Sequence, residues 1–228
     1  MSNLDRKAWE KQQRENRIID MAEPVFFEKG YDGTTIIEIA NASGYNKRSI
    51  YLYFKDKEEI FLAVVLRGLT RLYDALAAVS GSSDIRDLGH AFFDFSLAHP
   101  DYLKLIMVYE ASLCVYRGER ASGSGVGAFC ETGGRGGYRE KCQAKTDAIA
   151  ALITRSLETA IAGKQIQTAL TPEQLMLVLW GQVFGVLQII LMRQEGFEDT
   201  YGISYKALFD TFLDMTAAAL SVSAEDPV

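Results

Sequence analysis

The chain is poor in the residues that mark disulfide-rich, metal-bound or catalytic proteins. Its 228 residues include three cysteines, four prolines and two histidines. An odd number of widely spaced cysteines (Cys114, Cys130 and Cys142) argues against a disulfide framework and a zinc site. Since no carboxylate or cysteine stands at a spacing from His90 or His99 that singles out a metal site, we expect no metal, no cofactor and no catalytic set. Scarce proline, over long stretches that lack turn residues, favours an all-helical protein.

The sequence also lacks long apolar runs and an excess of positive charge. No uninterrupted apolar run reaches the roughly 18 residues that a membrane span requires. The charged start, MSNLDRKAWEKQQRENR, has no apolar core of a signal peptide. We therefore expect a cytoplasmic protein with no membrane partner. The net charge of −6 weakens non-specific DNA binding. Exposed charges are largely screened beyond about 8–10 Å, so a local basic patch can still bind phosphate.

The stretch GYDGTTIIEIANASGYNKRSIYLYFKDKEEIF, residues 30–61, predicts two short helices, a tight turn and the start of a third helix. Thr35 has a glutamate three residues later, which is the spacing of a capping box. Gly44 can end that first helix in the left-handed conformation. Asn46 can cap a second helix that runs through Tyr53. The spacing therefore predicts a helix-turn-helix.

Two basic residues, Lys47 and Arg48, stand in the first turn of the second helix, where they oppose the helix dipole. A helix that accepts this cost between short polar turns is typical of a recognition helix. Residues 46–57 hold four basic residues and one acidic residue, so the segment is locally positive.

Three stretches, IIDMAEPVFFEKGYDGTT, IANASGYNKRSIYLYF and KDKEEIF, carry a family resemblance in their order and spacing. From about Arg17 to Phe61 the chain closely resembles the DNA-binding domain of the tetracycline-repressor (TetR) family. The resemblance implies an all-α fold, with an N-terminal three-helix helix-turn-helix domain at residues 1–56. A C-terminal helical domain for effector binding and dimerisation would occupy residues 57–228. Many members carry small residues where this chain has Lys47 and Arg48, so no base preference can be borrowed.

The resemblance implies a DNA-binding transcriptional regulator, most simply a repressor. It would bind a palindromic operator as a homodimer and be controlled by a small-molecule effector. The alternative is a ligand-sensing or protein-interaction helical dimer whose DNA domain is vestigial or architectural. Sequence-specific DNA binding separates the two. An enzyme is a third class, for which the sequence offers no catalytic set.

Candidate DNA-binding residues lie in or beside the helix-turn-helix. Lysine and arginine can donate to guanine, and serine can contact several base edges. Residues at helix starts can clamp phosphates, and in the family the tyrosines approach the DNA backbone. The predicted set is Thr35, Asn46, Lys47, Arg48, Ser49, Tyr51, Tyr53 and Lys57. For each residue the alternative is a solvated basic face.

The charged start leaves two readings open. Its basic residues either add phosphate or minor-groove contacts, or belong to a solvated helical extension. They are Arg6, Lys7, Lys11 and Arg14.

Two C-terminal helices predict the dimer interface. Thr171, followed by proline, glutamate and glutamine, is a strong start signal for a helix to about Glu195 that is apolar on two faces. The last helix, from Ser204, has one apolar face. This surplus of apolar surface predicts a four-helix arrangement across a two-fold axis, as the family resemblance also implies. The alternative is packing within one chain. The predicted interface residues are Gly181, Gly185, Leu208 and Phe212.

Aromatic and methionine residues in two stretches, 92–109 and 180–188, predict an effector cavity or, alternatively, an ordinary core. Few charged residues lie there, which favours a small apolar or aromatic effector. The predicted ligand-binding residues are Phe92, Phe95, Leu105, Tyr109, Trp180, Phe184 and Gln188.

Two further expectations concern the backbone. The first helix, residues 5–29, should kink at Pro24 and end at Gly30. Residues 117–137 hold eight glycines and predict a long mobile loop after a helix that ends near Tyr116.

Overall fold

The computed structural model describes residues 3–82, 84–122, 137–193 and 196–221. Ten α-helices and no strand occur in these ranges, so the predicted all-α fold is confirmed for them. The helices are α1 (Asn3–Gly33), α2 (Ile36–Ser43), α3 (Lys47–Ile50), α4 (Lys57–Val79), α5 (Arg86–Ala98), α6 (Pro100–Ser122), α7 (Tyr138–Ala162), α8 (Pro172–Met192), α9 (Phe197–Tyr201) and α10 (Tyr205–Ser221).

The chain divides into two compact units. The first comprises residues 1–71 and 101–145, and the second comprises residues 72–100 and 146–228. The helix-turn-helix therefore shares its unit with the first part of α4, most of α6 and the start of α7. The functional boundary at residue 56 stays a prediction.

The core of the first unit is built from the stripes that the sequence predicts. Ile18 and Phe26 of α1 are fully buried, and the rings of Phe26 and Phe61 meet edge to face with centroids 5.6 Å apart. Ile50 and Phe54, which hold α3 in place, are also buried. In the second unit, Phe93 of α5 stacks on Phe209 of α10 at 4.3 Å.

The backbone of α1 leaves helical φ and ψ at Gly30, where the sequence predicts its end, and it stays within helical φ and ψ at Pro24. The predicted kink at Pro24 stays a prediction. Gly30 has φ 68° and ψ −179°, a left-handed conformation that favours glycine.

Several predicted boundaries differ from the observed ones. Regular helix in α3 ends at Ile50, and a looser turn continues to Phe54, whose amide donates to the Ile50 carbonyl at 3.0 Å. Helix α6 runs to Ser122, past the predicted end at Tyr116, because arginine, glutamate and alanine outweigh one glycine. The rest of the predicted loop, with Cys130, lies outside the described residues.

Helix α8 is long and apolar enough to cross a membrane by length and composition. An 18-residue window has a mean hydropathy of 2.1, and 17% of it is buried within the chain. The sequence expectation missed this window because glycine and glutamine interrupt its apolar run. Such a helix also suits a surface that a second protein chain covers.

Candidate nucleic-acid interface and effector cavity

Helix α2 is fixed at both ends by its own sequence. The Glu38 amide donates to Thr35 Oγ1 at 3.3 Å, and the Thr35 amide donates to Glu38 Oε2 at 2.9 Å. This is the predicted capping box. Gly44, at φ 74°, ends the helix in the left-handed region. The ammonium group of Lys29 bonds to Glu38 and, with the bonds from Thr35, lowers the pKa of that carboxyl group to about 2.

Helix α3 turns its two cations towards solvent. Asn46 Oδ1 accepts from the Ser49 amide at 2.8 Å and from the Ser49 hydroxyl at 3.1 Å. Ile50 is fully buried on the inner side. Lys47 and Arg48 are exposed, and within the described part of the chain they make no side-chain hydrogen bond or ion pair. Their donors are therefore available to an external acceptor, while Asn46 and Ser49 shape the turn.

The residues after α3 extend this surface. Tyr51 is 48% exposed and Leu52 is 70% exposed. Tyr53 is half-buried, and its hydroxyl lies 3.4 Å from Nη1 of Arg14, which donates to it. The sequence prediction missed Leu52. The signal was its place between the inward-facing Ile50 and Phe54, because residues four apart share one helix face. An exposed leucine can contact the methyl group of thymine.

Lys57 faces inward. Its Nζ donates to the carbonyl oxygens of Tyr31 at 2.7 Å and Thr34 at 2.9 Å. The same group lies 4.3 Å from the centre of the Tyr31 ring. These contacts fasten the end of α1 to the start of α4. The predicted phosphate role of Lys57 stays a prediction, and its contacts favour a structural one.

The start of α7 packs on the helix-turn-helix within the first unit. The Tyr138 ring stacks on Phe54 with centroids 6.0 Å apart, and its hydroxyl donates to Glu15 at 3.0 Å. The Cys142 thiol donates to the Leu62 carbonyl at 3.2 Å, and burial raises its pKa to about 12. It is a free cysteine held as a neutral thiol.

A second link joins α1, α4 and α6. The Tyr102 hydroxyl donates to Glu23 at 2.6 Å, and Arg67 pairs with the same carboxylate at 3.2 Å. Arg67 also pairs with Asp20 at 2.6 Å. Gly68 permits this approach, because a Cβ there would lie 2.8 Å from the Tyr102 ring.

The second unit contains an apolar cavity of about 90 Å³ bounded mainly by α5, α8 and α10. Arg86 and Thr216 are the polar residues of its wall. The Arg86 guanidinium pairs with Asp84 and Asp214, each at 2.7 Å. The Thr216 hydroxyl donates to the Phe212 carbonyl at 2.9 Å. The wall charge is therefore paired, and the cavity suits an uncharged apolar group.

Two of the seven predicted ligand residues line this cavity. They are Phe92 and Trp180, whose ring centroids lie 5.2 Å apart. The others do not line it: Phe184 stacks on Trp180, Gln188 is exposed, Phe95 is buried elsewhere in the unit, and Leu105 and Tyr109 are buried in the other unit. Sequence reasoning missed the contribution of α10.

Helices α8 and α10 form an apolar groove on the outside of the second unit. The predicted interface residues Gly181, Gly185, Leu208 and Phe212 all line it. A Cβ added at either glycine would meet nothing within 4 Å in this chain. Large apolar side chains on the two helices are exposed: Leu177, Val178, Ile189, Met192 and Met215. Among the described residues, no group of three or more His, Cys, Asp or Glu is placed to hold a metal ion.

Comparisons with known proteins agree with this arrangement. Residues 18–64 match the family model described as bacterial regulatory proteins, tetR family. The biofilm operon icaADBC negative transcriptional regulator IcaR of Staphylococcus epidermidis is 46% identical over 46 residues, covering 20% of this chain and 25% of that protein. The transcriptional repressor AcnR of Corynebacterium diphtheriae is 30% identical over 88 residues, covering 39% and 42%.

A solved structure extends the likeness in fold. SmeT, the repressor of the Stenotrophomonas maltophilia multidrug efflux pump SmeDEF, has a TM-score of 0.59 at 22% identity. The alignment covers 94% of this chain and 96% of that one. In sequence, the chain spans about a quarter to a half of the length of the curated relatives that it matches. Residues 18–64 thus carry the helix-turn-helix segment of the tetR family of bacterial regulatory proteins, and the whole chain resembles SmeT in fold.

Proposed function

We propose that this protein is a transcriptional repressor that binds a palindromic operator as a homodimer and is released or recruited by a small apolar effector. The observation that carries the proposal is the outward placement of Lys47 and Arg48 on a capped α3 whose inner side is buried. IcaR is named a negative regulator, and AcnR and SmeT are named repressors. Those names support repression over activation.

In the proposed complex, α3 enters the major groove. Lys47 and Arg48 donate to guanine edges, Leu52 contacts a thymine methyl group, and Thr35 and the tyrosines face the DNA backbone. Two copies would read half-sites about 34–36 Å apart. This spacing is the geometric requirement that a dimer must satisfy.

Operator selection from random DNA, followed by fluorescence anisotropy, tests the DNA function. Lys47→Ala and Arg48→Ala should each reduce discrimination between the selected site and a mismatched site by roughly 1–3 kcal/mol. Lys104→Ala is the matched control, because Lys104 is exposed and pairs with Asp101 on α6. If selection enriches no sequence, the protein is instead a ligand-sensing or interaction dimer with an architectural DNA domain.

The groove of α8 and α10 supports the dimer. Its large apolar side chains remain exposed to solvent in the single chain, so a second chain could bury them. Its two glycines leave room for another helix to approach closely. A dimer interface on this surface would also explain why α8 is apolar enough to cross a membrane although it lies in the fold of DNA-binding proteins.

The cavity of the second unit supports an effector of limited size. One water requires roughly 10–15 Å³ of such space, so about 90 Å³ admits a ligand of several heavy atoms unless the walls move apart. A short branched chain or a single ring, packed against Phe92 and Trp180, fits this description.

Binding of small hydrocarbons and aromatic compounds can be followed by Trp180 fluorescence in a Trp9→Phe background. Ala217→Leu should fill the cavity and abolish binding, whereas Ala218→Leu, on the exposed side of α10, should not. Calorimetry with and without operator then tests control, since operator must change effector affinity by the factor by which effector changes operator affinity. Equal effector affinities in the two titrations would rule out regulation by that compound.

A further inference from the structure

Helix α1 extends well upstream of the family match. It begins at Asn3, whereas the matched segment begins at residue 18. The only non-helical backbone in α1 is at Gly30, so residues 3–17 continue the helix that enters the helix-turn-helix. Residues 3–17 therefore lie outside the segment that matches the family.

Three basic residues follow one face of the extension. Lys7, Lys11 and Arg14 are four and three residues apart, which places them above one another on a helix. All three are exposed. Lys7 and Lys11 make no hydrogen bond or ion pair within the described ranges of the chain. Glu10 pairs with Arg6 at 3.4 Å and its charge also acts on Arg14, so Lys7 and Lys11 are the two cations of this face that have no ion pair among the described residues.

The position of this face is fixed by one contact. Arg14 Nη1 donates to the Tyr53 hydroxyl at 3.4 Å, and Tyr53 lies in the turn that follows α3. The three cations therefore begin beside the recognition helix. Lys7 lies seven residues upstream of Arg14, or about 10 Å along the helix axis at 1.5 Å per residue. That length corresponds to roughly three base pairs at 3.4 Å each.

We propose that Lys7, Lys11 and Arg14, here called the basic stripe, bind phosphates of the DNA that flanks the operator half-site. The proposal rests on the proposed DNA-binding function and extends it beyond the helix-turn-helix. Lysines bind phosphates as point charges and read no base pattern from this position. The basic stripe thus adds affinity and salt dependence, not sequence preference. It offsets the repulsion between DNA and a chain of net charge −6.

The test uses two duplexes, the selected operator trimmed to its half-sites and the same operator with six extra base pairs on each side. Anisotropy is measured from 50 to 300 mM salt. The wild-type protein should show a steeper salt dependence on the long duplex. Lys7→Gln with Lys11→Gln should lower the slope of log K against log salt by about 1.8 per protomer on the long duplex, at about 0.9 per phosphate. On the trimmed duplex the variant and the wild type should agree.

Lys104→Gln with Lys206→Gln is the matched control, since it removes the same charge from two exposed lysines elsewhere. Arg14 stays unchanged, because its loss would also release Tyr53. The basic stripe is disproved if flanking DNA adds nothing to wild-type affinity, or if the control lowers the slope as much as the double variant. Selective binding of the trimmed operator would then leave the proposed function standing. Absence of selective binding to either duplex would reject both.

Discussion

Lys47 and Lys57 lie on either side of the turn after α3 and place their ammonium groups in opposite surroundings. Lys47 is exposed, whereas Lys57 donates to two backbone carbonyls at the end of α1. A carbonyl that loses a charged donor in a half-buried place must find water or remain unsatisfied. The two lysines should therefore respond differently to the same substitution.

Lys57→Ala should lower the free energy of unfolding by about 1–3 kcal/mol, because hydrogen bonds to a charged group are lost. Lys47→Ala should change it by less than about 0.5 kcal/mol and should weaken operator binding instead. Urea unfolding and anisotropy on the same two variants separate the roles. Equal stability of the Lys57 variant and the wild type would show that the fold does not depend on the Lys57 ammonium group, which could then bind a DNA phosphate.

Glu38 predicts a pH dependence at the start of α2. Its pKa is lowered to about 2, mainly by Lys29 and then by Thr35. A carboxyl group with a lowered pKa stabilises the fold above its unfolded pKa, near 4.5, and loses that effect as the pH falls towards 2. The difference in urea midpoint between wild type and Glu38→Gln should therefore be constant above about pH 5 and shrink below it.

Glu158→Gln serves as the control for this titration, since Glu158 is exposed on α7 and has no ion pair among the described residues. Its midpoint difference from wild type should not change with pH in this way. A Glu38→Gln difference that stays constant down to pH 2.5 would contradict the stabilising role of the carboxylate.

Caps could be predicted from the sequence because they are local. Thr35 meets a partner three residues away, as Asn46 does, and spacing alone indicates both contacts. Lys57, by contrast, bonds to Tyr31 and Thr34, which lie 26 and 23 positions earlier in the chain. The sequence around a lysine at a helix start is the same whether its side chain points to solvent or to a neighbouring helix. The orientation of Lys57 is therefore known only from the packed structure.

At the scale of elements, one substitution in α8 should change the stability of the protomer and the stability of the dimer in opposite directions. Glycine inside a helix costs about 0.5–1 kcal/mol relative to alanine. A Cβ at Gly185 meets nothing in the chain, so Gly185→Ala should stabilise an isolated protomer. In the proposed dimer the same methyl group should separate the helices and weaken association. Sedimentation and urea unfolding together should show a more stable protomer that dimerises less well.

A charge at the same position should act more strongly. Gly185→Glu should give monomers or insoluble protein, whereas Ala151→Glu, on the exposed side of α7, should leave the assembly intact. A well-folded dimer of Gly185→Glu by light scattering would exclude this face as the interface.

The helices themselves followed from periodicity, but the cavity did not. Phe92 and Trp180 lie in stretches for which the sequence predicts either a cavity or an ordinary core, and no pattern in the sequence separates the two for a single residue. Which aromatic residues face empty space depends on how α5, α8 and α10 pack. Gly89 illustrates this dependence, because a Cβ there would lie 2.7 Å from Leu213 of α10. The short helix α9 was missed for a related reason, since five residues between glycines carry no period.

At the scale of the whole molecule, folding and assembly should be coupled. If α8 and α10 bury their apolar faces against a second copy, the native state gains stability by mass action. The midpoint of thermal unfolding should then rise with protein concentration between about 1 and 100 µM. Gly185→Glu, where soluble, should show a lower midpoint that does not depend on concentration. A wild-type midpoint independent of concentration would indicate a monomer or a dimer that persists after unfolding.

If the exposed apolar face of α8 holds the proposed dimer together, it also has a consequence for gene dosage. Below the dissociation constant of the dimer, the amount of dimer varies with the square of the chain concentration, so halving the copy number leaves about a quarter of the binding species. Operator occupancy would then fall more steeply than protein level. A promoter under such a dimer would respond to dilution during growth as well as to effector, and the sharpness of that response would be set by helix packing within the second unit.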